Sequence, residues 1–234
     1  MSLRDDARRY GRAPRLLRSQ TRTDSAFRRR FKIGAPAFIV VALTLGVAVV
    51  VGFTAGEAAP ALTAENGPIE SATVWLYGVV FLAALLAWRS GQPLGGLVAT
   101  ASLLMALREL DAHAAFTRFG VFSTRLYARP DVPLMEKLAA GVAVLALVVL
   151  TIAALRGAWR DLNGRAVTSG VTLLVLLGFG VLLKQIDALP RQLRGLGWPL
   201  PENTLVISKA VEEIGEMGLP IMLALALFQI PRRR

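Results

Sequence analysis

Glu212, Glu213 and Glu216 follow Lys209 at i+3, i+4 and i+7, the spacing that places four side chains on one stripe of a helix. Three carboxylates beside one ammonium leave an acidic excess. In an apolar setting, such an excess calls for a proton, a hard cation or a cationic group from another helix. A second group is Arg108-Glu109-Leu110-Asp111-Ala112-His113, where Arg108 and Asp111 are three apart and Glu109 and His113 four apart. Lys184, Asp187 and Arg191 form a third, again at helical spacing. Glu70, with Glu65 just before it, opens a further apolar run. Glu212, Glu213, Glu216, His113 and Asp111 are the candidates for acid–base work, with His113 as a proton shuttle. Arg108, Glu109, Lys184, Asp187 and Glu70 are the candidates for ligand binding; Arg108 and Lys184 would hold an anionic headgroup, and Glu212, Glu213 and Glu216 a proton or cation.

Several chemistries are closed to this chain. It has no cysteine, so disulfides, thiol nucleophiles and thiolate metal sites do not arise. His113 is its single histidine, which rules out a haem with two histidine ligands from this chain and any H-E-x-x-H zinc motif. The pair Glu212-Glu213 is similar to the paired glutamates of the intramembrane CAAX-type prenyl endopeptidases. That family continues with an arginine and two histidine motifs; here Met217 takes the arginine position and no histidine follows. No cofactor is identified.

These groups sit at the ends of long apolar runs. Of the 234 residues, 54% are hydrophobic and the mean hydropathy is +0.53. Six runs of about 20 residues match the length needed to cross a hydrocarbon core of about 30 Å. They are Ile33–Ala55, Ser71–Trp88, Leu94–Ala112, Leu138–Leu155, Val167–Ile186 and Leu205–Ile230. Continuous rather than alternating hydrophobicity predicts helices instead of barrel strands. The expected fold is therefore an all-α polytopic bundle of six transmembrane helices. The purely apolar part of the last run, Met217–Ile230, is about 21 Å long at 1.5 Å per residue. To cross, that helix must take Glu216 and Glu213 into the outer part of the bilayer, where charges are costly and turn inward to pair.

An internal echo points the same way. Leu107-Arg108-Glu109-Leu110-Asp111-Ala112 resembles Leu183-Lys184-Gln185-Ile186-Asp187-Ala188, base for base and acid for acid. Spans 2–3 and spans 4–5 then read as hairpins repeated in parallel, which would bring their charged ends together. The longest connection, Thr117–Lys137, carries Arg118, Arg125, Arg129, Pro130 and Pro133 and has room for a short interfacial helix.

Charge sets the orientation. The net charge is +11, and residues 1–32 hold eleven bases against three acids while residues 231–234 hold three arginines. The interior is neutral. Arg89, Arg156, Arg160 and Arg165 fall on the same side as the ends, a bias that predicts both termini in the cytoplasm. Residues 1–32 are thus expected to be a basic, disordered cytoplasmic arm, residues 33–230 the membrane domain, and residues 231–234 a basic tail. Membrane lipids are the expected partners, with anionic inner-leaflet lipid at the arm. Nucleic acid is not expected, because no aromatic residues interleave the arginines. The composition, rich in small residues and arginine over lysine, suggests a bacterial inner membrane. The sequence points to a polar, acid-rich site near the extracytoplasmic face that handles a lipid, amphiphile or cation by transport or catalysis. Six spans are few for a monomeric transporter, so that use predicts a homo-oligomer. The other reading is a non-catalytic subunit or assembly factor whose charges are interhelical salt bridges.

Overall fold

The computed structural model describes residues 15–54, 58–64, 67–112, 117–121, 123–162 and 167–230, with side chains from residue 34 onward apart from those of Ala59, Pro93 and Asp161. His113 and Glu65 lie outside the described residues, as do the first part of the arm and the basic tail. Eight helices make up the described chain: α1 Arg15–Thr54, α2 Ala58–Leu62, α3 Pro68–Arg89, α4 Pro93–Glu109, α5 Thr124–Ala128, α6 Leu134–Leu162, α7 Val167–Gly195 and α8 Glu202–Phe228. No strand occurs among the described residues.

Four of these helices contain stretches long and apolar enough to cross a membrane: Gly34–Thr54, Pro68–Arg89, Leu134–Arg160 and Val167–Gly195. The other two expected spans differ in kind. Helix α4 has 17 residues, about 25 Å at 1.5 Å per residue. Helix α8 has 27, about 40 Å, and carries Glu202, Lys209, Glu212, Glu213 and Glu216. Its charge load, rather than its length, separates it from the four.

Helix α8 is the axis of the bundle. It packs against α1, α3, α4 and α7, and against the short α2. All but one residue from Ala210 to Pro220 are buried, the other being half-buried. Small residues make this possible. A Cβ on Gly218 would stand 3.0 Å from Thr44 of α1, and one on Gly215 would collide with Leu183 of α7. Helix α6 is the opposite case: it leans on α7, touches α4 lightly, and has only 6% of its apolar window buried.

Three prolines, Pro36 of α1 among them, lie inside long helices without ending them. Pro190 lies inside α7 and Pro220 inside α8. A proline cannot donate to the carbonyl four residues before it. For Pro190 that carbonyl belongs to Ile186, and the Ser208 hydroxyl of α8 donates to it at 3.4 Å. The fifth run therefore continues well beyond Ile186, to Gly195.

Helices α3 and α4 form a hairpin closed by a tight turn at Ser90–Gln92, where Gly91 has φ +86°. Gly95 lets the two helices meet: a Cβ there would lie 2.7 Å from the Ala84 carbonyl oxygen and 2.9 Å from the Trp88 Cα. Between α4 and α6, α5 supplies the short helix expected in the long connection. It seats Leu126 in a small core with Val132 and Ala140. Arg129 donates to Asp131 at 3.0 Å, and this hydrogen bond holds the exposed Asp131 carboxyl below the usual carboxylate range.

Candidate functional site

The stripe on α8 is buried because the helix that carries it is surrounded. Glu212, Glu213 and Glu216 are 9%, 8% and 4% exposed. Each has a cation. Lys209 lies one turn before and reaches Glu212 at 3.3 Å, with Glu213 also in direct contact. Lys184, near the middle of α7, lies 3.6 Å from Glu212 and 3.1 Å from Glu216. Arg108, in the last turn of α4, donates to Glu216 and lies 3.4 Å from Glu109.

The two bases of the echo, Arg108 and Lys184, thus converge on one carboxylate, that of Glu216. The acids of the echo part company. Asp187 continues along α7, 3.8 Å from Lys184 and 2.9 Å from the exposed Arg191. Asp111 falls beyond the end of α4, which stops at Glu109 rather than running on to Ala112. Asp111 is exposed, with φ +46°, so it does not share a helical face with Arg108. An aspartate is one of the few residues besides glycine that enter this left-handed region readily. Glu70 is half-buried in the first turn of α3 and lies within electrostatic reach of Glu109. His113 lies outside the described residues.

Two more polar groups complete the picture: Glu109, which the sequence marked, and Tyr77, which spacing did not reveal. Tyr77, in the middle of α3, is fully buried, and its hydroxyl has no hydrogen-bond partner within the described protein. Glu109 is 8% exposed; its Oε1 faces Arg108 at ion-pair distance but receives no hydrogen bond. The only signal for Tyr77 in the sequence was a phenol in the middle of an apolar run, where its oxygen needs a partner. Gln185 also joins the site, from the position that matches Glu109 in the echo.

Tyr77, Arg108, Lys184, Gln185 and Glu216, but not Glu109, border a cavity of about 880 Å³ between α3, α4, α6, α7 and α8. Its walls are aliphatic along most of their length, for example Leu97, Leu147, Leu150, Ala154 and Leu177. Among the described residues charge enters at three positions: Arg108, Lys184 and Glu216. The light contact between α4 and α6 leaves room for it. Gly178 lines the wall, and a Cβ there would meet nothing within 4 Å. Two cations to one anion, plus the Tyr77 hydroxyl, make this end of the cavity rich in hydrogen-bond donors. Among the described residues, no three acidic or histidine side chains are grouped to hold one metal ion. Comparison of the chain with protein-family models, with curated proteins and with solved structures gives no match.

Proposed function

We propose that this chain is a six-span membrane protein that binds an amphiphile by its anionic head. Arg108 and Lys184 receive the head, and the aliphatic cavity receives the tail. The observation that carries this reading is the cavity itself, apolar along its length and cationic at one end. Mostly hydrophobic clefts with a few placed polar groups are the common form of small-molecule sites. Both cations remain partly accessible, with 35% and 46% of their side chains exposed, so donors are left for a ligand after Glu216 is satisfied. In this reading α4 and α8 are the two polar spans, tolerated because their charges face one another rather than lipid. Both termini are cytoplasmic by the positive-inside bias, and the site lies toward the outer face of a bacterial inner membrane.

Glu212 and Glu213 fit a structural role better. Lys209 holds both from their own helix, and neither lines the cavity.

Native mass spectrometry of the protein in mild detergent tests the reading. Wild type is expected to carry an anionic amphiphile. Lys184→Gln should lose it through the head, and Gly178→Leu should lose it by filling the tail channel. Gly178→Leu projects into open space, so its melting temperature should stay at the wild-type value. A wild type that carries no amphiphile, or one retained equally by both variants, would leave the ion pairs as interhelical braces and sink the proposal.

A further inference from the structure

Charge counting at the site leads one step further, on the premise that an anion binds there. The buried network holds Glu109, Glu212, Glu213 and Glu216 against Arg108, Lys184 and Lys209. Asp187 is matched separately by Arg191. Among the described residues the network therefore starts with one acid in excess, and an anionic head would raise the excess to two in a place of low dielectric. Such an imbalance is relieved by a proton.

The structure distinguishes one carboxylate from the rest. Glu216 accepts from Arg108 and is paired with Lys184; Glu212 and Glu213 are paired with Lys209. Among the described residues Glu109 has only Arg108, which it shares with Glu216, and its buried Oε1 receives no hydrogen bond. The charged and titratable groups facing it are Arg108 on its own helix, Tyr77 and Glu70 on α3, and Glu213 and Glu216 on α8. Three of these five are acids, so a ligand that draws Arg108 away leaves Glu109 among like charges. A buried acceptor that receives no hydrogen bond is costly, and the Tyr77 hydroxyl, which lines the cavity and lies within electrostatic reach of Glu109, is a second such group.

We propose that the site takes its anion together with a proton: the head engages Arg108, and Glu109 binds one proton from water. An O–H bond forms on the Glu109 carboxyl, no bond in the ligand changes, and the net charge of the site stays constant. Glu109 is thus a proton-coupling residue, and Tyr77 stands ready to accept from or donate to the new carboxylic acid or the head.

Calorimetric titration with dioctanoyl phosphatidylglycerol tests this, because its diester head stays singly charged between about pH 5 and pH 8. Run at one pH in buffers of different ionisation heat, the titration counts protons. Wild type should take up close to one proton per lipid, and its Kd should rise about tenfold per pH unit where Glu109 is ionised in the free protein. Glu109→Gln should bind with no uptake and a flat pH profile, and Glu213→Gln should keep the uptake. Should Glu109→Gln fail to fold, difference infrared spectra of wild type serve instead: lipid addition should bring a protonated-carboxyl band. Lipid binding with no uptake and no such band overturns the coupling but leaves the amphiphile reading standing. Uptake that survives in Glu109→Gln overturns the assignment to Glu109. No lipid binding overturns the reading on which the coupling rests. Titration with inorganic phosphate separates a headgroup site from a free-anion site: heat with phosphate and none with lipid would overturn both.

Discussion

Arg108 touches two of the four buried carboxylates, Glu109 and Glu216, and among the described residues it is the one cation paired with Glu109. Removing one partner of a buried pair strands the other, at a cost of about 3–5 kcal/mol. The partial exposure of Arg108 lowers this, and Arg108→Ala should cost about 2–3 kcal/mol. Arg191→Ala makes the contrast. Its side chain is 72% exposed against Asp187, and its loss should cost about 0.5 kcal/mol or less. Thermal unfolding of the two variants in the same detergent checks the difference. Much of the site at this scale was legible from spacing, since Lys209, Glu212, Glu213 and Glu216 share a face in any helix. The echo also marked Arg108 and Lys184 as equivalents. Asp111 was misread as helical because neither glycine nor proline announces the end of α4 at Glu109; the left-handed Asp111 ends it instead. Tyr77 was silent, because burial of a hydroxyl without a partner is a property of packing.

Among the helices, the hairpin α3–α4 sets the position of Arg108, and Gly95 sets the hairpin. The atoms that a Gly95 side chain would meet belong to the backbone of α3, which cannot swing aside. Gly95→Ala should therefore force α4 outward and destabilise the protein by about 1–3 kcal/mol, the usual range for overpacking. It should also lower thermal stability more than Gly178→Leu, although leucine is far larger than alanine. A melting temperature unchanged by Gly95→Ala would contradict the close approach. The existence of the long helices was plain from their apolar runs. Their ends were not, because α7 continues through Pro190 once the Ser208 hydroxyl takes over the carbonyl that proline leaves without a donor. That exchange is made between two helices, and no local pattern records it.

At the scale of the whole molecule, the proposed six-span topology puts the turn of the α3–α4 hairpin in the cytoplasm and the α7–α8 turn outside. The chain has no cysteine of its own, so single cysteines report cleanly. Ser90→Cys, exposed in the first turn, should stay unlabelled by a membrane-impermeant maleimide in intact spheroplasts. Leu196→Cys, exposed in the second, should be labelled. The reverse pattern would invert the protein, and labelling of both would remove α4 from the membrane, since an even number of spans would then separate the two positions. The sequence indicated a helical bundle and where its charge lies, but not that the most acidic helix forms its axis, because that depends on which helices surround it. The central place of α8 also governs how the protein comes to exist. Helix α8 follows in chain order every helix it touches, and chains are built from the N-terminus. During synthesis, then, Arg108 and Lys184 are made before the carboxylate of Glu216 that joins them. On the proposed topology the last long helix enters among helices already made, drawn in by the charges that would have kept it out of lipid alone.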